Sequence, residues 1–206
     1  DAATGTQAAA TAPVGVWATM AYLLAFGWIS HQRHWARVLA ASWCVYLAIA
    51  ALLHFSGLDR SPVMAWGVLP VLLLAAARGL PAPTMPPRSA HLPRQELIAR
   101  MVAALLLVLG LTTAASHIGA GFTGVLAGAP VAATVIPAFT LALAGRDALL
   151  RALRGFLTGL VGFASFFLTL SAALPPCGGW AWPLAAVAAV AAGALAVQVV
   201  RYAARD

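Results

Sequence analysis

HIGAGFTGVLAGAPVAATVIPAFTLALAGRDALLRALRGFLTGLVGFASFFLTL, residues 117–170, sets two apolar runs around one charged patch. The first run covers about residues 118–144. The second starts near 148 and continues to about 174. Arg146, Asp147, Arg151 and Arg154 gather where they meet. A helix needs about 20 mostly apolar residues to cross the hydrocarbon of a bilayer. Both runs are long enough, so the stretch reads as two spanning helices joined by a basic turn.

Five more runs of this kind lie outside it, at about 8–29, 36–54, 61–77, 97–116 and 181–200. Residues 78–96, RGLPAPTMPPRSAHLPRQE, carry five prolines and three arginines. Proline removes a backbone donor and fixes φ, so this stretch reads as a polar linker. The chain has no lysine, and its twelve arginines follow the gaps between runs. Every second gap is loaded, which puts eleven on one side and only Arg60 on the other. Cytoplasmic loops carry the excess of positive charge, so the loaded side, including the C-terminus, is expected to be cytoplasmic. The same count keeps the short third run in the membrane. Its span of about 24 Å is marginal, but later arginine clusters would swap sides without it. Trp28 and Trp35 flank the first loaded gap, and Trp180 and Trp182 begin the last run, as interfacial tryptophans do.

Composition points to the same solvent. The chain is 63% hydrophobic and 8% charged, against roughly 45–50% and about 25% in soluble domains. The net charge of +7 does not imply nucleic acid, because the arginines are spread through the gaps rather than set on one polar face. Cys44 and Cys177 are too few for a disulfide framework or a metal cage. Residues 1–12 have no basic n-region and are not an intact signal peptide.

Two pairs of runs look alike. Residues 5–26 match 145–166 at Gly5/Gly145, Ala8/Ala148, Ala12/Ala152, Gly15/Gly155 and Phe26/Phe166. WARVLAASWCVYLAIAA (35–51) matches WAWPLAAVAAVAAGALA (180–196) at seven positions, beginning with Trp35/Trp180. Ala/Leu-rich helices also resemble one another by composition alone. If the likeness is descent, the first and sixth helices run in opposite directions, which makes an inverted-topology repeat of the kind found in secondary transporters. The expected organisation is then one transmembrane domain, 1–206. Residues 1–77 end a first repeat and add a linker helix, 78–96 form a cytoplasmic linker, and 97–206 form the second repeat. About fifty residues of the first repeat would lie upstream of Asp1.

Residues 117–170 also resemble a family of uncharacterised proteobacterial inner-membrane proteins built from two related halves. The matching positions are Gly121, Gly124, Pro130, Phe139, Gly145, Arg154, Gly155, Gly159, Phe163, Phe166 and Phe167. Thr123, where Ser is usual, and Gly128-Ala129 ahead of Pro130 depart from the pattern. The resemblance implies a multi-pass inner-membrane fold and carries no activity.

The fold class expected is therefore all-α, a polytopic helix bundle of about seven spans. Its best candidate for a substrate path is the fifth run, with Gly121, Gly124, Gly128, Pro130 and Pro137, together with Arg154 in the sixth. Gly and Pro at this density either unwind a helix where it lines a cavity or let helices pack closely. Arg146, Arg151 and Arg154 either orient the chain or meet anionic lipid headgroups or an anionic substrate. The acids, Asp1, Asp59, Glu96, Asp147 and Asp206, all fall outside the spans, so no proton relay is marked. Thr112, Thr113, Thr123, Thr134, Thr140, Ser165 and Thr169 can bridge helices or line a neutral path. No catalytic residues, cofactor or metal are implied, and no nucleophile–base pair is visible. The leading reading is a small transporter or permease-like protein of the inner membrane. The alternative is a non-transporting structural or assembly subunit of an envelope complex.

Overall fold

The computed structural model describes residues 2–31, 34–56, 62–85, 94–118 and 130–203. Arg33, Arg60, Arg88, Arg205 and the stretch 119–129 lie outside the described residues. Within them the chain is all-α, with no strand. Helix α1 spans Ala2–Ile29, α2 Trp35–Ser56, α3 Pro62–Gly79 and α4 Arg94–Ile118. The helical stretch Val131–Cys177 is interrupted at Gly145, which has φ 82° and ψ −179°. Gly145 divides it into α5, 131–144, and α6, 146–177. One 3-10 turn, Gly178–Trp180, leads into α7, Ala181–Ala203.

Several boundaries differ from the sequence reading: α1 begins at Ala2 rather than near 8, and both ends of the expected linker are helical, 78–79 in α3 and 94–96 in α4. Helix α3 has 18 residues, about 27 Å at 1.5 Å each, and so comes closer to the thickness of a bilayer core than the run 61–77 suggested. Pro62 opens it, where the missing N–H costs nothing, and Arg78 sits in its last turn, where the helix dipole favours a cation. The joint between α5 and α6 is also tighter than the sequence implied. It is one glycine, in a backbone region that is essentially glycine-only.

That joint folds α6 back along α5. Tyr22 of α1 bonds to Thr134 of α5, and Gly27 of α1 meets Leu150 and Leu153 of α6. Tyr22 and Gly27 are about 7.5 Å apart along α1, whereas Thr134 and Leu150 would be about 24 Å apart if α5 and α6 were collinear. Only a reversal at Gly145 brings both to one stretch of α1. Ser30 lies by Arg146, while Gly27 lies by Leu150 and Leu153, so α1 and α6 are antiparallel.

The main core forms where α1, α2, α5 and α6 meet. Tyr22, Leu23, Phe26, Val38, Tyr46, Leu149, Leu150 and Leu153 are buried there, with Ala76 and Leu80 added from α3 and its exit. Tyr22, Phe26, Trp43 and Tyr46 contact one another by tilted and edge-on ring packing. A smaller cluster, Leu170, Leu174, Ala181 and Ala185 with Phe166 and Phe167, closes the α6–α7 turn. Higher on α6, a Cβ at Gly162 would lie 3.0 Å from the Ala189 carbonyl oxygen, so the α6 and α7 backbones approach through a small residue.

The outer faces are apolar. On α4, Leu97, Ile98, Met101, Val102, Leu105, Leu106 and Leu109 are exposed, as are Leu184, Val187, Val190 and Leu195 on α7. Two helical stretches among the described residues are long and apolar enough to cross a membrane. One is Trp35–Leu53, and the other is Val131–Gln198, which takes in α5, α6 and most of α7.

Candidate functional site

The densest polar contacts lie at the arginine-rich end of α6. Asp147, Arg151 and Arg154 follow at i, i+4 and i+7, so they share one face of the helix. All three grip the extended segment that leaves α3. The Thr84 N–H donates to Asp147 Oδ1 at 2.5 Å, the Thr84 hydroxyl at 3.1 Å and the Met85 N–H at 3.4 Å. Arg151 donates to the Met85 carbonyl at 2.8 Å. Arg154 donates to the Leu80 carbonyl at 3.3 Å. Prolines 81 and 83 hold the segment extended, since residues preceding proline are pushed from helical conformations. A non-helical segment then offers its backbone groups to a neighbouring helix.

Other contacts tie the same junction to α1. The Trp28 indole N–H donates to the Gly79 carbonyl at 2.8 Å, and Arg146 donates to the Ser30 hydroxyl at 3.2 Å. The Leu80 side chain is buried over Gly27, where a Cβ would lie only 2.5 Å from its Cδ1. Backbone N–H donation from Thr84, joined by the Thr84 hydroxyl, the Met85 N–H and the nearby Arg151 charge, outweighs desolvation and holds the Asp147 carboxyl below the usual carboxylate range. One N–H of each of the three arginines goes to a neutral oxygen. Asp147 is thus the acidic group within a cluster of three cations.

Arg154 is in an unusual position. Its Cα lies nine residues beyond Gly145, about 13 Å along α6. Its side chain runs back toward the helix start, as long helical side chains do, and places the head against Leu80. Its Nε is buried with no hydrogen-bond partner.

A second cluster is buried between α1, α2 and α5. The Tyr22 hydroxyl donates to the Thr134 hydroxyl oxygen at 3.4 Å, beside the aromatic rings of α2. Trp17 Nε1, on α1, is also buried without a partner. Other hydroxyls serve their own helices: Thr112, Thr113, Thr140 and Ser165 donate to carbonyls one turn back.

Gly121, Gly124 and Gly128 lie outside the described residues. Pro130 is buried at the start of α5, and Pro137 is fully buried inside it. The described part of α5 is helical through Pro137, which therefore packs in the core without breaking the helix there. Arg154 instead bonds the segment after α3. Sequence reasoning missed Gly27, Tyr22, Leu80, Thr84 and Met85. The two prolines of LPAPTM signal its extended shape, but nothing local pairs it with a helix more than sixty residues away. Among the described residues, no three His, Cys, Asp or Glu side chains come together to hold a metal. No protein family, curated protein or solved structure matches the chain.

Proposed function

We propose that the chain is a multi-pass protein of the bacterial inner membrane, with its arginine-rich end cytoplasmic, and that it works as a small transporter or permease. The observation that carries the transport reading is the one-residue joint at Gly145. It lets α5, with Pro130 and Pro137, fold back against α6, so that both helices pack on α1, and α6 also holds the exit of α3. In this reading the substrate path runs beside α5, past Pro130 and Pro137, and ends near Arg154. The proposal includes membership in the two-halved inner-membrane family that residues 117–170 resemble.

Seven spans and an inverted repeat belong to this reading. It is supported by the pairing of neighbours, α1 with α2 and α6 with α7, and by the antiparallel contact of α1 with α6. Exposed apolar side chains around α4 and α7 fit a lipid solvent. N–H groups of Arg146, Arg151 and Arg154 not used in the junction can meet anionic headgroups. Uptake or efflux of solutes by proteoliposomes of the protein tests the reading. Transport of one solute class that is lost on Pro137→Leu supports it, and no transport across a broad panel of neutral and anionic solutes would sink it.

The broadly exposed face of α4 favours the second reading, an assembly subunit of an envelope complex. Photo-crosslinkers at Leu97, Met101 and Leu105 decide between them. A single protein partner captured there supports assembly, and capture of lipid alone supports the lone permease.

A further inference from the structure

We infer, resting on the transport reading above, that the segment 80–85 is a gating strap, which α6 holds shut over the cytoplasmic end of the α1–α6 contact.

Three features separate a strap from an ordinary connection. First, one face of α6 is committed to it: Asp147, Arg151 and Arg154 each bond its backbone, at both of its ends. Second, it covers something. Leu80 closes over Gly27, and the Leu150 and Leu153 side chains that meet the same spot are fully buried. Third, the closed state is held by bonds that are individually weak. The Thr84, Met85, Asp147 and Arg151 contacts are exposed to solvent, where water competes for each group. Closure also leaves Arg154 Nε buried without an acceptor, a cost that release offsets by hydrating it. Of the strap, Leu80 belongs to the buried core around Tyr22 and Tyr46 and 81–85 do not, so release withdraws one leucine and leaves the rest of that core in place. Closed and open states therefore differ by those solvent-exposed bonds and by the burial of one leucine side chain, a local opening rather than global unfolding.

The test uses the whole protein in inside-out membrane vesicles, with Cys44→Ser and Cys177→Ser removing the native thiols. Leu153→Cys reports access to the covered spot through its labelling rate with a membrane-impermeant maleimide. Hydrogen exchange at the Thr84 and Met85 amides reports whether the strap is bound. With the strap held, labelling is slow. Adding Asp147→Ala and Arg151→Ala frees both amides and speeds labelling roughly tenfold, the scale expected for losing one or two charge-assisted bonds. Leu80→Ala, which removes the wedge without altering charge, speeds labelling as well. If the amides are freed and Leu153→Cys stays protected, the segment is no gate. If the amides stay protected in the double variant, α6 does not hold it, and the inference also fails. Where Leu153→Cys does not fold, Leu150→Cys reports the same spot. Labelling that follows this pattern in a protein without transport activity would overturn the transport reading and leave the strap standing.

Discussion

Gly27 and Leu80 interlock. A Cβ on Gly27 would lie 2.5 Å from Leu80 Cδ1, and 3.5 and 3.6 Å from Leu153 and Leu150. Leu80 Cδ1 ends a flexible side chain, so Gly27→Ala is absorbed by a rotamer change. The larger Gly27→Val overfills the site and is expected to cost about 1–3 kcal/mol. Unfolding in detergent measures the loss, and Leu80→Ala on the same background should recover part of it. Simple additivity of the two losses would show that they do not share the site.

Asp147 makes the junction acid-sensitive. Its folded carboxyl titrates below the ordinary range because Thr84 and Met85 donate to the charged form. A depressed carboxylate stabilises the fold above its unfolded pKa of about 3.9, and that contribution is lost as pH falls through the folded value. Hydrogen exchange at the Thr84 and Met85 amides should therefore rise as pH falls below about 4, after correction for the intrinsic rate. In Asp147→Ala, which leaves no acceptor, the corrected exchange should be high and independent of pH over that window.

Three glycines on α6 should respond differently. Gly162→Ala places a methyl 3.0 Å from the Ala189 carbonyl oxygen, an atom that cannot turn aside. It should separate α6 from α7 at a cost of about 1–3 kcal/mol. Gly155 and Gly159 have open space where a Cβ would go, so alanine there should stabilise by up to about 1 kcal/mol through helix propensity. Equal responses at all three sites in thermal unfolding would contradict this packing.

Gly145 tolerates no side chain at φ 82° and ψ −179°. Gly145→Ala is expected to cost about 1–3 kcal/mol, the usual strain for this backbone region. It should also disturb the Arg146–Ser30 contact next to it. A spin-label pair across the α5–α6 turn should report a wider or mixed separation in the variant, and an unchanged distance with unchanged stability would refute the assigned turn.

Much of the helical framework is legible from local pattern. The apolar runs at 36–54 and 181–200 correspond to α2 and α7 within a few residues. The charged patch at 146–154 marks the turn between α5 and α6, although one glycine makes that turn where the sequence suggests several residues. Arg154 stands out in the sequence as a candidate for the substrate path, whereas its head group turns back to bond the Leu80 carbonyl at the exit of α3. The linker hides more. LPAPTM reads as polar connection because its partners lie sixty to seventy residues away, and hydropathy carries no record of which helix accepts its hydrogen bonds.

By itself, the sequence determined the helical class, the approximate ends of the helices and the uneven placement of positive charge. Each depends on runs of neighbouring residues: apolar stretches favour internally bonded helices, and polar, proline-rich stretches separate them. Tertiary structure alone decided that a single glycine makes the turn between α5 and α6, that Gly27 makes room for Leu80, and that Asp147, Arg151 and Arg154 bind the exit of α3. Those outcomes depend on close approach between distant segments. There, steric fit and the need to pair every backbone donor and acceptor choose one arrangement among many that the same hydrophobic pattern allows.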